Sequence, residues 1–201
     1  MFFDLTADFV DQIPWFDETL VSSDDTTVLN KAKAKNYIIH ERSSELSGPA
    51  VSIKSVIKNV ISDMSLPDDT YLWLFYLPVL YKNSDDFTKA KSIIDSIQVD
   101  SLCSFIPAKT HPYSCWKYNV KSKKLNQFIP NDIFRRQDME EAWMHYHYIC
   151  AFKAGFIDSL NSELLCAETY PIFLDNKTAD NLIEVDTPED YKKWKLIADN
   201  K

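Results

Sequence analysis

Apolar positions along this chain fall into two rhythms. Phe2, Phe3, Leu5, Phe9, Val10 and Ile13 recur at helical spacing with Asp4, Asp8 and Asp11 between them, which predicts a helix over about 3–12 that ends before Pro14. Thr19 to Ser22 reads as a short buried strand. Ser23-Asp24-Asp25 caps a second helix over 26–35, Asn36 ends it, and Tyr37 to His40 is the next strand. The loop 41–49 follows. Val51, Val56, Ile57, Val60 and Ile61 then mark a helical stripe out to Met64. Tyr71 to Phe75 is a continuous apolar run of the kind found in a central parallel strand buried on both faces. Asp85-Asp86 opens a helix with Phe87, Ala90, Ile93, Ile94 and Ile97 inward, and Ser101 to Ile106 is a further strand.

Between about Pro107 and Met139 the rhythm breaks, with His111-Pro112-Tyr113 and the lysines of 121–124 suggesting an irregular excursion or hairpin. His147 to Phe152 is again a strand, Lys153 to Leu160 a short helix, and Tyr170 to Leu174 an extended segment. Near the C-terminus, Leu182, Ile183 and Val185 suit a buried strand. Thr187 then caps a final helix over about 188–199, with Pro188 at its first position and Asp190 three residues after the cap. Alternating strands and helices predict one α/β domain over 1–201, Rossmann-like, with a mostly parallel sheet and helices on both faces.

On that reading, Glu184 and Asp186 share one face at the C-terminal end of a strand, immediately before a helix. In open α/β sheets ligands bind there, and paired carboxylates suit a hard divalent cation such as Mg²⁺. The plain alternative is that both acids serve only strand ending and helix capping. His145 and His147 would also share a strand face. Neutral histidines packed beside Tyr146 and Tyr148 are the preferred reading there, over a metal site.

Composition narrows the classes. The 201 residues are 45% hydrophobic and 26% charged, enough for a core, and the net charge of -8 argues against a nucleic-acid-binding surface. Cys103, Cys115, Cys150 and Cys166 form no Cys-x-x-Cys pair, so zinc-ribbon and thioredoxin readings fail. Scattered thiols suit a reducing cytoplasm. The apolar run from Tyr71 to Tyr81 is too short for a bilayer, so no membrane partner is expected. Gly48 and Gly155 are the only glycines, which rules out a Gly-rich phosphate loop within this chain.

Five segments, in order, resemble the cytidylyltransferases that make CMP-activated sialic acids. They are Phe16 to Asp24, Glu41 to Ser47, His111-Pro112-Tyr113, Arg135-Arg136-Gln137-Asp138, and Ile183 to Asp190. The resemblance runs from about Phe2 to Trp194. It implies a nucleotide-diphospho-sugar transferase fold, CTP and a nine-carbon sugar acid as substrates, Mg²⁺, and a homodimer whose excursion at about 107–146 crosses to the partner. It places the metal carboxylates on Glu184 and Asp186, nucleotide contacts on Arg42 and Ser52, and sugar-acid contacts on Arg136 and Gln137. It designates no general base, so the catalytic residues stay unassigned. The family's opening strand and Gly-Ser-Lys phosphate loop have no counterpart, and the chain is expected to start just after them, a fold truncated at its N-terminus. The family's Asn-Gly segment is here Tyr146-His147-Tyr148-Ile149-Cys150. The expected function is transfer of CMP from CTP to a sialic-acid-like sugar with release of pyrophosphate. The alternative is an inactive member that binds a sugar, a nucleotide or a partner chain.

Overall fold

The computed structural model describes residues 2–198. Helix α1 (Phe2–Val10) leads to strand β1 (Leu20–Ser23), helix α2 (Thr26–Ala34) and strand β2 (Ile38–Glu41). Helix α3 (Ile53–Asp63), strand β3 (Tyr71–Trp73), helix α4 (Ser84–Ile97) and strand β4 (Ser101–Pro107) continue the alternation. A hairpin of β5 (Trp116–Asn119) and β6 (Lys124–Gln127) interrupts it. Then come the long β7 (Trp143–Lys153), β8 (Tyr170–Phe173), and helices α5 (Asn176–Asn181) and α6 (Pro188–Ala198). The predicted end of the last helix, residue 199, lies outside the described residues. No helix among the described residues is long and apolar enough to cross a membrane.

The central sheet has the order β3-β7-β4-β8, and β1 and β2 form a separate parallel pair. β7 runs antiparallel to both β3 and β4, while β8 is parallel to β4. Strands β3, β4 and β8 therefore point one way and β7 returns between two of them. Alternation divides the core. Leu102 and Ala151 pack with Phe87, Ala90 and Ile94 of α4, whereas Cys103, Cys150 and Phe152 pack with Ile57 of α3 and with Ile157, Leu160 and Leu164. Helices thus cover both faces, as the sequence predicts.

Local signals fix the helix ends. Asp25 Oδ1 accepts the Thr27 amide at 2.7 Å, Ser52 Oγ accepts that of Ser55 at 3.1 Å, and Asn83 Oδ1 that of Asp85 at 3.1 Å. At α6 the reciprocal box forms with Asp in place of Glu. Thr187 Oγ1 accepts the Asp190 amide, and Asp190 Oδ2 accepts the Thr187 amide, both at 3.2 Å. Phe9, Trp15 and Phe16 tie the N-terminal segment to the central sheet and α4, with ring centroids 5.2 Å from Phe9 to Phe87 and 4.9 Å from Trp15 to Trp73.

Three expectations are corrected. β3 is only three residues long, half-buried throughout, and hydrogen-bonded only to the antiparallel β7, so it is not a central parallel strand buried on both faces. The Trp73 side chain of β3 packs on one face of the sheet against Trp15 and Phe16. The segment 182–186 is not a strand but makes a single antiparallel bridge from Glu184 to Val79. Val185 N–H donates to Pro78 O at 3.0 Å, but Pro78 has no N–H to return, so the pairing stops there. Residues Ala154–Ser159 form a 3₁₀ rather than an α-helical segment, wedged in because the Ala154 and Gly155 amides bond to Thr70 O and Asp68 O.

Candidate functional site

The carboxyl ends of β3, β4 and β8 define one edge of the sheet, and because β7 is antiparallel its first residues lie at that same edge, Trp143 opposite Pro107. Ligands of open α/β sheets gather at such an edge. Tyr76, His145, Tyr146 and His147 stand near it, and the bridge at Val79 brings the 182–186 segment alongside.

The strand is absent, but an exposed–buried–exposed alternation over 184–186 remains. Glu184 and Asp186 are exposed and Val185 between them is buried. Partial burial raises the Glu184 carboxyl above its usual range, and the negative charge of Asp186 adds to it. Burial also pushes the Tyr146 phenol up to about 12, with Glu184 and Asp186 contributing. Two mutually repelling acids beside a phenol form a hard, oxygen-only donor set. That set fits Mg²⁺ held partly by protein and partly by water and phosphate oxygens.

The other predicted residues do not converge on this pair in hydrogen bonds. Arg42 Nη2 pairs with Asp24 Oδ1 at 2.9 Å, while its buried Nε has no hydrogen-bond partner. Ser52 caps α3, its hydroxyl 2.9 Å from that of Ser55. Arg136 and Gln137 are exposed in a 3₁₀ turn over Arg136–Asp138, and it is the neighbouring Arg135 that grips Asp138 through Nε and Nη2 at 2.7 and 2.9 Å. His111 shapes its loop: Nδ1 accepts the Tyr113 amide at 3.2 Å, and Nε2 lies 3.1 Å from Glu140 O.

The histidine pair packs, but not against its chain neighbours. Tyr76 stacks on His147 with centroids 4.3 Å apart, and Phe105 lies 5.6 Å from His145. Tyr148 points to the opposite core. There its hydroxyl donates to Asp86 Oδ2 at 2.9 Å and accepts the Asn83 amide at 3.0 Å, fastening α4 to β7. Sequence reasoning did not single out Tyr76, Cys103 or Glu163, all of which the fold brings to the histidines. The Glu163 and Cys103 signals were only residue types, with no spacing to connect them to β7.

Two surface concavities lie elsewhere. One of about 240 Å³ is lined by Lys58, Asp68 and Asp158, and one of about 340 Å³ by Tyr81, Lys82 and Trp194. Neither includes Glu184, Asp186, Arg42 or Arg136.

No family model matches the sequence, and no curated protein matches it. Solved structures do. The fold is of the nucleotide-diphospho-sugar transferase type, a mixed α/β sheet with helices on both faces. The structure of CMP:2-keto-3-deoxy-manno-octonic acid synthetase complexed with CTP superposes with a TM-score of 0.63 at 13% identity, covering 100% of this chain and 88% of that one. 4-Diphosphocytidyl-2C-methyl-D-erythritol synthase superposes with a TM-score of 0.64 at 11% identity, covering 98% and 88%.

Proposed function

We propose that the chain is a nucleotidyltransferase that moves CMP from CTP to a sugar acid. The observation that carries this reading is the exposed Glu184–Asp186 pair, whose charges act on one another, in a chain whose fold is shared with two solved structures named for CMP and diphosphocytidyl compounds. The finer proposal, from the motif resemblance, is an acceptor of the nine-carbon sialic type. One solved neighbour is named for a 2-keto sugar acid, which supports an acidic acceptor.

In the reaction a hydroxyl of the sugar acid forms a bond to the α-phosphorus of CTP and the bond to the β-phosphate oxygen breaks, releasing pyrophosphate. Bound Mg²⁺ would supply charge neutralisation for the phosphates. Glu184 and Asp186 would hold it, and their mutual repulsion is the strain that a cation relieves. Arg136, on an exposed turn, is free to grip a carboxylate in the two-pronged manner of a guanidinium, with Gln137 beside it. Arg42 and Ser52 are the proposed nucleotide contacts, Arg42 after exchange of its Asp24 partner. The exposed hairpin is proposed to join two copies.

A second reading has a specific observation behind it. With only two glycines, the chain has no Gly-rich phosphate loop to hold a triphosphate, so a binding protein without turnover is the competing function. Pyrophosphate release from CTP, Mg²⁺ and N-acetylneuraminate decides. Turnover that Glu184→Ala and Asp186→Ala both abolish, with circular dichroism unchanged, supports the transferase. Turnover that survives either substitution removes the metal assignment. Mg²⁺-dependent binding of CTP without pyrophosphate release establishes the second reading.

A further inference from the structure

The pairing of β4 with β7 contains an irregularity with a chemical result. Cys103 stands opposite Cys150 and Phe105 opposite His145, so four residues of β7, 146–149, face the single residue Ser104. The bulge carries the His145 and His147 rings to within 4.6 Å of one another, at 88°. Both Nε2 atoms are shielded from solvent and neither has a hydrogen-bond partner. Buried imidazole nitrogens left unpaired are uncommon and call for an explanation.

A third donor is aimed at the same place. Glu163 Oε2 lies 3.4 Å from His147 Nε2, near enough for an ion pair but out of line for a hydrogen bond. The loop that presents it is held under strain. Leu164, fully buried, adopts a left-handed φ of 61°, a conformation a bulky side chain rarely takes. Asn161 Oδ1 pins that loop by accepting the Glu163 and Leu165 amides at 2.8 and 3.0 Å. One ligand atom from each of His145, His147 and Glu163 falls within 4.8 Å of the others. Donors on a tetrahedral zinc ion sit about 3.3 Å apart, so small side-chain rotations close the set.

We propose that His145, His147 and Glu163 form a binding site for a borderline divalent transition metal, with Zn²⁺ as its preferred ion. Two imidazoles and one carboxylate are the donor set that such an ion selects over Mg²⁺. The site is therefore chemically distinct from the all-oxygen pair at Glu184 and Asp186, and it stands whether or not the chain transfers a nucleotide. Tyr76 stacked on His147 and Phe105 beside His145 fix the ring planes. Glu163 is exposed on its outer side, which leaves a coordination position open to water or to a substrate oxygen. On the inner side the Cys103 thiol stands beside the His145 ring.

The test uses the full chain without a histidine tag, stripped with a chelator and titrated with Zn²⁺ by calorimetry in excess Mg²⁺. One ion is expected per chain, with a rise in melting temperature. Co²⁺ in its place is expected to give the visible bands of a tetrahedral site. The exposed substitution Glu163→Gln leaves the apo fold unchanged by circular dichroism and weakens Zn²⁺ binding by more than about tenfold. The double variant His145→Gln, His147→Gln loses specific binding. Failure of the wild type to bind Zn²⁺ in excess Mg²⁺, or equal affinity in wild type and Glu163→Gln, overturns the proposal.

Discussion

The Ser104 hydroxyl donates to the carbonyl of Tyr146 at 2.7 Å, and the same oxygen accepts the amide of Ile149 at 3.0 Å. One fully buried side chain therefore satisfies two of the backbone groups that the β7 bulge takes out of the ladder. Ser104→Ala would strand a buried donor and a buried acceptor together. The expected loss is about 2–4 kcal/mol, or roughly 5–10 °C in Tm for a domain of this size. Chemical denaturation of the two proteins checks it. An unchanged midpoint means that water or a relaxed ladder takes over both groups.

That bulge also marks where the sequence stops being informative. His145 and His147 were visible as a pair at strand spacing, but the bulge beside them is bonded through Ser104, which no local pattern links to them. Glu163 lies in a loop whose strained Leu164 is an apolar residue like any other in the sequence. The capping box of Thr187 and Asp190, by contrast, was legible because donor and acceptor are three residues apart. The strand expected just before it failed for a non-local reason: it bridges only at Val79, and the adjoining Pro78 lacks the hydrogen that would extend the ladder. The helix–strand alternation was legible from α1 to β4, since periodicity reports which face is buried. The half-exposed state of β3 was not, because apolar runs do not say how many neighbours a strand has.

The β5–β6 hairpin carries an apolar face into solvent. Trp116 and Tyr118 alternate onto one side, and Tyr118 sits opposite Leu125. Their exposures are 56%, 59% and 62%. A lone two-stranded hairpin is marginal in water, and such a face is the kind that another copy covers. The expected outcome is a homodimer by sedimentation at micromolar concentration. The pair Tyr118→Lys and Leu125→Glu is expected to weaken it by more than about 100-fold, since each buried large apolar side chain contributes about 1.5–3 kcal/mol. A monomeric wild type at those concentrations defeats this expectation.

Helix α4 ends on Gln98 with φ 52° and ψ 45°, a left-handed cap whose amide still reaches Ile94 O at 2.9 Å. Glycine takes that conformation without the Cβ clash that costs other residues about 1 kcal/mol. Gln98 is exposed and caps through its backbone alone, so Gln98→Gly is expected to stabilise the chain by about 0.5–1 kcal/mol. Urea unfolding at neutral pH measures it, and a loss of stability would show that the long side chain contributes contacts worth more than the strain.

Lys82 gives the pH dependence a defined sign. Burial lowers its ammonium to about 8, and Nζ donates to the Val79 carbonyl. In the unfolded chain the same group titrates near its ordinary value of 10.5. Between those two values the unfolded state holds the proton more often than the folded state, so stability rises with pH across that window. Below about 8 both states are protonated, and the full burial cost of the charge is present. The tyrosines act in the opposite direction at higher pH. Burial holds the phenol of Tyr148 far above its usual range and that of Tyr146 at about 12, so folding resists their ionisation and stability falls once free tyrosine ionises. Lys82→Met removes the first effect and leaves the second. Relative to that variant, the wild type is expected to gain on the order of 2 kcal/mol between pH 7 and about 10. Parallel denaturation curves for the two proteins over this range would instead mean that the ammonium reaches water through the concavity beside Tyr81 and Trp194 and titrates as an exposed lysine.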